Sequence, residues 1–332
     1  MERLRTMPVR SAAMVKHLRR LVSIVLLALA LVAATSLRWA HPVAAAPAAS
    51  CDRACLNAIM DQYLAAMVAH DASKLPLAKN AKFTENGVRL EFTDALWATA
   101  SSVGNYKLYF AEPEAGEAGI YTVVQENGAG VLLHVRLKVV DRKITEVETL
   151  VARKQMTSIL NTDNLTEVRP IFAETVPEAD RPSRAEMVSL VGHYFDGIEQ
   201  GNGDIVPFDK DCVRIENGIQ TCPGSASSRL GALSCGEQLN TKIFTYIHTI
   251  TPRRFPVVDR ERGLVLALVR FNHPATQQTV EVPGRGKMTM GAYSQWPNST
   301  EIAELFKLKD RKIKEITAVI VTQPYKAPTG WE

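Results

Sequence analysis

An internal repeat constrains the fold more than any other feature of this 332-residue sequence. Residues 61–87 align with residues 192–218 at a shift of 131, without a gap, and Tyr63 falls on Tyr194. Both segments end in the triplet Glu-Asn-Gly. The repeat therefore predicts two copies of one structural unit, fused end to end.

Two further blocks of sequence repeat in the same order. Residues 121–136 align with 255–270 at a shift of 134, and residues 141–147 align with 310–316 at a shift of 169. The increase in the shift predicts an insertion of about 35 residues in the second copy, near 271–305.

Each copy begins with a helical pattern and continues with strands. Ser183 and Glu186 form a capping-box pattern before the helix of the second copy, and Asp52 takes the equivalent position in the first. Apolar residues alternate with polar ones in the segments that follow. In the first copy the apolar helix face consists of Leu56, Ile59, Met60, Tyr63 and Met67. The pattern predicts the α+β class for both units.

The first 45 residues read as a signal peptide. Basic residues precede an apolar run from Leu21 to Ser36, and small residues follow, with cleavage expected after Ala45. An uncleaved membrane anchor is the alternative, although the run is shorter than the about 20 residues that a bilayer requires. Removing 1–45 leaves 32 Lys+Arg against 34 Asp+Glu. The mature chain therefore lacks the excess basic charge that nucleic-acid binding needs.

The repeat and the composition together predict the domain organisation. Residues 46–165 form the first unit and 183–332 the second, and a linker rich in proline and acidic residues, 166–182, joins them. We expect a monomer without a stable membrane span after cleavage.

All five cysteines lie beyond the predicted signal peptide. Disulfides are the usual state of cysteines in exported proteins, so Cys51 is predicted to pair with Cys55. Cys212 is predicted to pair with either Cys235 or Cys222, which leaves one thiol. No zinc-ligand spacing is present in the sequence.

Three short motifs resemble the nuclear-transport-factor-2-like (NTF2-like) superfamily, which includes ketosteroid isomerase, scytalone dehydratase and limonene epoxide hydrolase. QYLAAMVAHD at 62–71 is similar to the isomerase helix, AKFTENG at 81–87 to its base-bearing strand, and ELFKLKDRKIKEITAV at 304–319 to its closing hairpin. The resemblance implies two cone-like units, each with helices on a curved, mostly antiparallel sheet around an apolar pocket. It further implies that the two units form a pseudo-dimer within one chain. It also favours Cys235 as the partner of Cys212, because similar sequences have a cysteine before the helix that starts at CGEQL.

The same resemblance implies catalytic residues in each copy. The pairs are Tyr63 with Glu85, and Tyr194 with Glu216: the tyrosine would stabilise an enolate while the carboxylate moves a proton. The superfamily usually has aspartate as the base, so glutamate is a departure. The alternative is that Glu-Asn-Gly marks a hairpin turn, with the glutamate exposed beside it.

Other polar and aromatic residues are candidates for the same pockets. Tyr246 and His248 are two residues apart in FTYIHTI and would share one face of a strand, with His248 in acid–base catalysis; half-exposed strand residues are the alternative. His134 interrupts the apolar strand VLLHVRL. The predicted substrate-binding residues are Asn86, Trp97, His134, Arg214, Asn217 and Tyr246.

Two functions fit this sequence. The first is an exported, cofactor-independent enzyme (an isomerase, dehydratase or other lyase) that transfers a proton on a small, partly apolar molecule. The second is a non-catalytic extracytoplasmic protein that binds a small molecule or a partner in the same pocket. A scaffold that uses the open sheet faces is a third possibility. The sequence has no phosphate loop or dinucleotide fingerprint, and no metal or cofactor is predicted.

Overall fold

The computed structural model describes residues 51–154, 159–225, 230–289 and 295–332. The predicted signal peptide lies outside the described residues. Within the described ranges, no helix has both the length and the apolar character needed to cross a membrane.

The first copy is one six-stranded sheet covered by a long helix. Its strand order is β2-β1-β6-β5-β4-β3, in which β1 and β6 run parallel and the other neighbours antiparallel. The elements are α1 (Arg53–Val68), β1 (Leu77–Glu85), β2 (Val88–Arg89), α2 (Leu96–Thr99), β3 (Ala100–Glu112), β4 (Glu117–Glu126), β5 (Ala129–Val140) and β6 (Lys143–Ala152).

The second copy repeats this topology. Its six-stranded sheet has the order β8-β7-β14-β13-β10-β9, again with one parallel pair, β7 and β14. The elements are α3 (Arg184–Gln200), β7 (Phe208–Glu216), β8 (Ile219–Cys222), α4 (Cys235–Asn240), β9 (Thr249–Asp259), β10 (Leu264–His273), β11 (Thr279–Val282), β12 (Gly286–Thr289), β13 (Asn298–Lys309) and β14 (Lys312–Pro324). The predicted α+β class and the two tandem units are confirmed.

The strand order corrects the second repeat block. Residues 121–136 reach from β4 into β5, whereas 255–270 reach from β9 into β10, which are one strand earlier in the topology. Arg136 is therefore not the structural counterpart of Arg270. The slip arises because the central strands have similar apolar alternation. The longer connection of copy 2 joins β10 to β13 and contains the β11–β12 hairpin; residues 298–305 of the predicted insertion belong to β13.

Side-chain caps start both long helices where the sequence predicted. Asp52 Oδ1 accepts a hydrogen bond of 2.9 Å from the Cys55 amide, and Ser183 Oγ accepts one of 3.2 Å from the Glu186 amide. These bonds satisfy amide groups that the first helical turn leaves without an intrahelical acceptor.

Each sheet uses one face for its own helix and the other face for the second sheet. The helix-covered faces form two separate apolar cores. A third core joins the two sheets, and it contains Leu108, Phe110, Tyr121 and Leu132 from copy 1 with Val257, Leu266, Leu268, Ala303 and Leu305 from copy 2. Burying one such large apolar side chain contributes roughly 1.5–3 kcal/mol. The two units therefore form the predicted pseudo-dimer within one chain.

Two equivalent ion pairs connect the copies, and we call them the inter-copy clasp. Arg53, at the start of α1, bonds Asp259 at the end of β9, with Nη2 and Oδ1 2.8 Å apart. Arg184, at the start of α3, bonds Glu112 at the end of β3, with Nε and Oε1 2.7 Å apart. Asp259 and Glu112 are buried. Each copy thus anchors the first turn of its long helix to the other copy.

The disulfide prediction for Cys212 is wrong. Cys51 pairs with Cys55 as predicted, but Cys222 pairs with Cys235, and Cys212 is a buried free thiol. The β7–β8 hairpin places Cys222 opposite Arg214, with its Cα 5.4 Å from that of Cys235. A disulfide is readily accommodated at this separation. The Cys222 and Cys235 sulfurs lie 3.8 and 3.5 Å from the Cys212 carbonyl oxygen, so the three residues are neighbours.

We expect Asp259→Asn to lower the free energy of unfolding by about 2 kcal/mol or more, because the change removes the charge from a buried partner of Arg53. Asp211→Asn is the matched control, since its pair with Lys210 is 77% and 88% exposed and should contribute less than about 1 kcal/mol. Urea denaturation of the two variants measures the difference. Equal, small effects would contradict a stabilising role for the clasp.

Non-reducing peptide mapping should recover Cys222 linked to Cys235 and Cys212 unmodified. In the folded protein Cys212 should react slowly with iodoacetamide, because burial raises the pKa of its thiol to about 12. After unfolding in urea it should react at the rate of an ordinary cysteine. A linked peptide that contains Cys212 would contradict the pairing.

Candidate functional site

Four polar side chains meet inside the second cone. Tyr194 lies on the buried face of α3. Arg214 and Glu216 are two residues apart on β7 and therefore share one face of the strand. Glu304 on β13 is flanked, two residues away on either side, by Ile302 and Phe306 of the same core. Because strand side chains alternate between faces, Arg214, Glu216 and Glu304 point into the cone interior, where the buried face of α3 places Tyr194. We call Tyr194, Arg214, Glu216 and Glu304 the Arg214 cluster.

The guanidinium of Arg214 organises this cluster. Its Nε lies 3.0 Å from Glu216 Oε1, and its Nη2 donates a hydrogen bond of 2.9 Å to Gln238 Oε1 on α4. The Arg214 side chain is 4% exposed. A buried guanidinium is stable only when its donors are used, and here an ion pair and an amide oxygen use them.

Burial determines the protonation states of Glu304 and Tyr194, two neighbours of Arg214. Burial raises the pKa of Glu304 to about 8, with the Glu216 charge adding to the shift and Arg214 opposing it. The pKa of the neighbouring Tyr194 is also raised well above its usual value, chiefly by burial. Glu304 is therefore a neutral acid near pH 7, whereas Glu216 is ion-paired. Two carboxyl groups in such different environments are typical of acid–base sites.

A cavity of about 100 Å³, which we call the copy 2 pocket, adjoins the cluster. Glu216 is the one member of the Arg214 cluster that lines it, and its side chain is 22% exposed. The other lining residues are Ile159, Phe244, Tyr246, Ile247, Phe271, His273, Thr300, Ile302 and Ile320. The pocket is thus largely apolar, with a carboxylate on one wall.

Tyr246 and His273 supply polar groups to this pocket. Their ring centroids are 5.2 Å apart, and His273 Nδ1 lies 2.9 Å from Asn298 Oδ1. Burial lowers the pKa of His273 below its usual value, so its imidazole is neutral near pH 7. The sequence predicted Tyr246 as a lining residue, but not His273.

The predicted position of His248, on one strand face with Tyr246, is wrong. Tyr246 lies in a turn, and His248 lies in the short irregular segment between that turn and β9. Neither residue is on a strand, so the expected two-residue alternation does not apply. The His248 residue is exposed, and its amide donates a hydrogen bond to the Asn272 carbonyl. It does not line the copy 2 pocket.

The interior of copy 1 is packed with aromatic side chains instead. Trp97 Nε1 donates a hydrogen bond of 3.0 Å to the Tyr63 hydroxyl, and both residues are fully buried. Glu85 accepts from the Leu96 amide at 3.0 Å and pairs with Arg153 at 2.9 Å. Trp97 is therefore a core residue and not the predicted substrate contact, and Glu85 anchors local structure.

Two differences in sequence separate the two interiors. Phe83 occupies the β1 position that corresponds to Arg214, and Val135 occupies the β5 position that corresponds to Glu304. Copy 1 thus has apolar side chains where copy 2 has a guanidinium and a carboxyl group. We therefore assign the candidate site to copy 2.

Asn86 and Asn217 have structural roles, contrary to the prediction that they bind substrate. Asn86 Oδ1 accepts a hydrogen bond of 2.8 Å from the Val151 amide, and Asn217 Oδ1 accepts one of 2.8 Å from the Ile320 amide. Both asparagines have positive φ, 50° and 46°, as their two-residue Asn-Gly hairpin turns require. The turn interpretation is correct, although Glu85 is buried rather than exposed.

His134 does not line the copy 2 pocket. It lies fully buried in the face of β5 that packs against the other sheet, between the rings of Phe110 and Tyr121. Burial lowers its pKa to about 3, with the charge of Arg136 adding to the shift. The imidazole is therefore a neutral packing group, and the prediction that it binds substrate is wrong.

Sequence reasoning missed Glu304, His273 and Gln238. Glu304 is the first residue of ELFKLK, where a charge interrupts an apolar alternation. That signal becomes informative only when the strand face is known. Among the described residues, no three side chains of His, Cys, Asp or Glu converge as ligands for a metal ion.

Comparison with known proteins identifies one family. A family model described as a domain of unknown function, DUF8021, matches residues 49–151 and 180–320. These two segments correspond to the two copies. No curated protein matches the chain.

Solved structures that are similar to this chain each cover a fraction of it. An NTF2-like protein of unknown function from Cytophaga hutchinsonii has 11% identity and a TM-score of 0.25, covering 30% of this chain and 92% of that one. An NTF2-like protein from Anabaena variabilis has 13% identity and a TM-score of 0.24, covering 42% and 92%. A candidate ketosteroid isomerase from Kribbella flavida has 16% identity and a TM-score of 0.25, covering 39% and 95%. NTF2-like proteins are thus among the structures similar to this chain, as the sequence motifs predicted.

Glu304→Gln should flatten the pH dependence of stability. The carboxyl group ionises near 4.5 in an unfolded chain and near 8 in the fold, so the folded state binds an extra proton between these values. The stability that Glu304 contributes is fully present below about pH 4.5 and is lost as pH rises through about 8. We expect a loss of a few kcal/mol over this range in the wild type, and a smaller loss in the variant.

Urea titrations of both proteins across this pH range provide the test. The difference between them is the relevant quantity, because burial also raises the pKa of Glu301 to about 8. Parallel stability profiles for the wild type and the variant would show that Glu304 is not a neutral acid in the fold.

Proposed function

This chain belongs to the DUF8021 family of domains of unknown function, and from the geometry of copy 2 we propose that it is a cofactor-independent enzyme. It would transfer a proton on a small, partly apolar carbonyl compound, as isomerases, dehydratases and other lyases do. The observation that carries the proposal is the carboxylate of Glu216. It is held by buried Arg214 and faces an apolar pocket, with the neutral acid Glu304 behind it.

Glu216 is the proposed base. Its pairing with Arg214 fixes the carboxylate at the pocket wall, which provides the positioning that general base catalysis needs. A carbon next to a carbonyl group becomes acidic when the enolate oxygen is stabilised. Tyr246 and neutral His273, which line the same pocket, are the proposed groups that contact that oxygen.

Glu304 and Tyr194 are the proposed proton store. Both stay protonated near pH 7 because burial disfavours their charged forms. Neither of them lines the pocket, and both lie next to Arg214. Their role would be to hold the charge balance of the cluster when Glu216 gains a proton.

The size of the pocket limits the substrate. An engineered cavity of about 150 Å³ accepts benzene, whereas drug-sized ligands need about 300–1,000 Å³. At about 100 Å³, the copy 2 pocket suits a ligand of a few carbon atoms. Phe244, Phe271 and Ile302 favour an apolar body for that ligand.

The proposed setting is outside the cytoplasm. Two disulfides are typical of proteins from oxidising compartments, and the signal-peptide pattern of 1–45 supports export. We further propose that 46–165 and 183–332 act as one monomer, joined by the linker 166–182.

Deuterium exchange into a small ketone tests the catalytic role. The probe is cyclopentanone in heavy water, with loss of its α-proton signal followed by NMR. The wild type should accelerate this exchange, and Glu216→Gln should reduce the rate by about 100-fold or more, because it removes the base and keeps the shape. Glu85→Gln is the matched control from copy 1, and it should retain the activity.

The competing function predicts a different result. If saturation-transfer NMR shows that cyclopentanone binds, but neither the wild type nor Glu85→Gln accelerates exchange, the protein is a binding protein. Exchange that Glu216→Gln leaves unchanged would remove Glu216 from the mechanism. Urea denaturation of each variant shows whether a loss of activity is a loss of folding.

A further inference from the structure

A larger cavity, of about 230 Å³, lies between residues 174–182 and the β13–β14 hairpin. We call it the linker cavity. Its walls include the apolar side chains of Val176, Pro177, Pro182, Met187 and Leu308. One strand residue among the lining residues, Lys307, is only 1% exposed.

Among the described residues, the amine of Lys307 is bonded to main-chain carbonyl groups alone. Its Nζ donates to the Glu174 carbonyl at 2.8 Å and to the Arg262 carbonyl at 2.6 Å. Within the part of the chain that the structure describes, no carboxylate oxygen lies within 4.0 Å of this nitrogen. The carboxylate of Glu174 pairs with Lys309 instead, at 2.9 Å. Lys307 is therefore a buried amine without a counter-charge in contact.

In copy 1, the lysine at the strand position equivalent to Lys307 is paired with a carboxylate. Lys138 is the counterpart of Lys307, and it donates to the Ala115 carbonyl, which corresponds to Arg262. Lys138 also lies 3.5 Å from the carboxylate of Glu117, and its side chain is 30% exposed. The position of Glu117 is occupied in copy 2 by Leu264.

Two hydrogen bonds match the neutral form of an amine. A neutral primary amine has two N–H groups and one lone pair, whereas an ammonium ion has a third N–H that needs an acceptor. Burial lowers the pKa of Lys307 to about 8, with Lys309 and Arg262 adding to the shift, against the raising effects of Glu174 and Asp259. Roughly a tenth of the Lys307 amine is thus neutral at pH 7.

We propose that Lys307 is a nucleophilic amine that condenses with a small aldehyde or ketone in the linker cavity. The Nζ lone pair attacks the carbonyl carbon. The carbonyl oxygen leaves as water with the two amine hydrogens, and a C=N bond forms. Protonation of this imine gives one N–H, which can still donate to one of the two main-chain carbonyl groups. Desolvated lysines are known to be suited to this chemistry.

The cavity defines the class of carbonyl compound. Its volume of about 230 Å³ exceeds that of an engineered cavity that holds benzene, about 150 Å³. The lining is apolar at Val176, Met187 and Leu308, and charged residues, among them Asp180 and Arg311, also line the cavity. A small aromatic or branched aldehyde therefore fits the volume and the apolar part of the lining.

Reductive trapping tests the proposal on the unmodified full chain. The probe is benzaldehyde with sodium cyanoborohydride, and mass spectrometry of peptides measures labelling at each lysine. Near neutral pH, Lys307 should be labelled roughly tenfold or more faster than Lys138 and Lys309, because burial without a contacting carboxylate favours its neutral, nucleophilic form. Equal or slower labelling of Lys307 would overturn the proposal.

Leu264→Glu provides a second, independent arm, because it restores the acid that copy 1 has at this position. It should slow labelling of Lys307 by roughly tenfold, since a nearby carboxylate favours the charged amine. Labelling of Lys138 in the same sample is the internal control for probe and reductant. Unchanged fast labelling of Lys307 in a folded Leu264→Glu protein would overturn the role of the missing carboxylate.

Discussion

The inter-copy clasp is the interaction on which the arrangement of the two units depends. Asp259 accepts hydrogen bonds from the Arg53 side chain and the Ala111 amide of copy 1. Glu112 accepts the equivalent bonds from the Arg184 side chain and the Val258 amide of copy 2. Because each of these four donors has a counterpart in the other copy, the clasp has local two-fold symmetry. It fixes the start of each long helix against the end of a strand from the other unit. The apolar faces of the two sheets then pack together, and the two cone interiors stay separate.

Separate interiors can diverge without loss of the shared interface. Phe83 and Val135 fill copy 1 with apolar contacts, whereas Arg214 and Glu304 form a buried polar cluster in copy 2. Burying a carboxyl group and a guanidinium costs several kcal/mol even when they are paired. The aromatic core of copy 1 and the core between the sheets offset that cost, since both are apolar and closely packed. One copy therefore supports the fold while the other carries reactive groups.

Local patterns in the sequence predicted the local features of this fold. The caps at Asp52 and Ser183, the two Asn-Gly turns and the Cys51–Cys55 disulfide each depend on residues a few positions apart. The errors concern partners that are distant in sequence. Strands of similar apolar alternation allowed a one-strand slip in the repeat alignment, and three neighbouring cysteines allowed the wrong pair. The inward face of Glu304 could not be predicted, because it depends on which side of β13 the long helix covers.

Structural equivalence between the copies identifies reactive positions that composition does not. Lys138 and Lys307 donate to equivalent carbonyl groups, so both copies have a lysine donor at this place. What differs is the neighbour. Glu117 balances one amine, whereas Leu264 stands beside the other, which no carboxylate of the described residues contacts. The same reasoning separates Glu216, beside Arg214, from Glu85, in an interior that Phe83 and Trp97 occupy. In a duplicated fold, two copies can keep the same charged residue at one position and differ in the residues around it. The pKa of the group follows that environment, and so does the chemistry that it can perform.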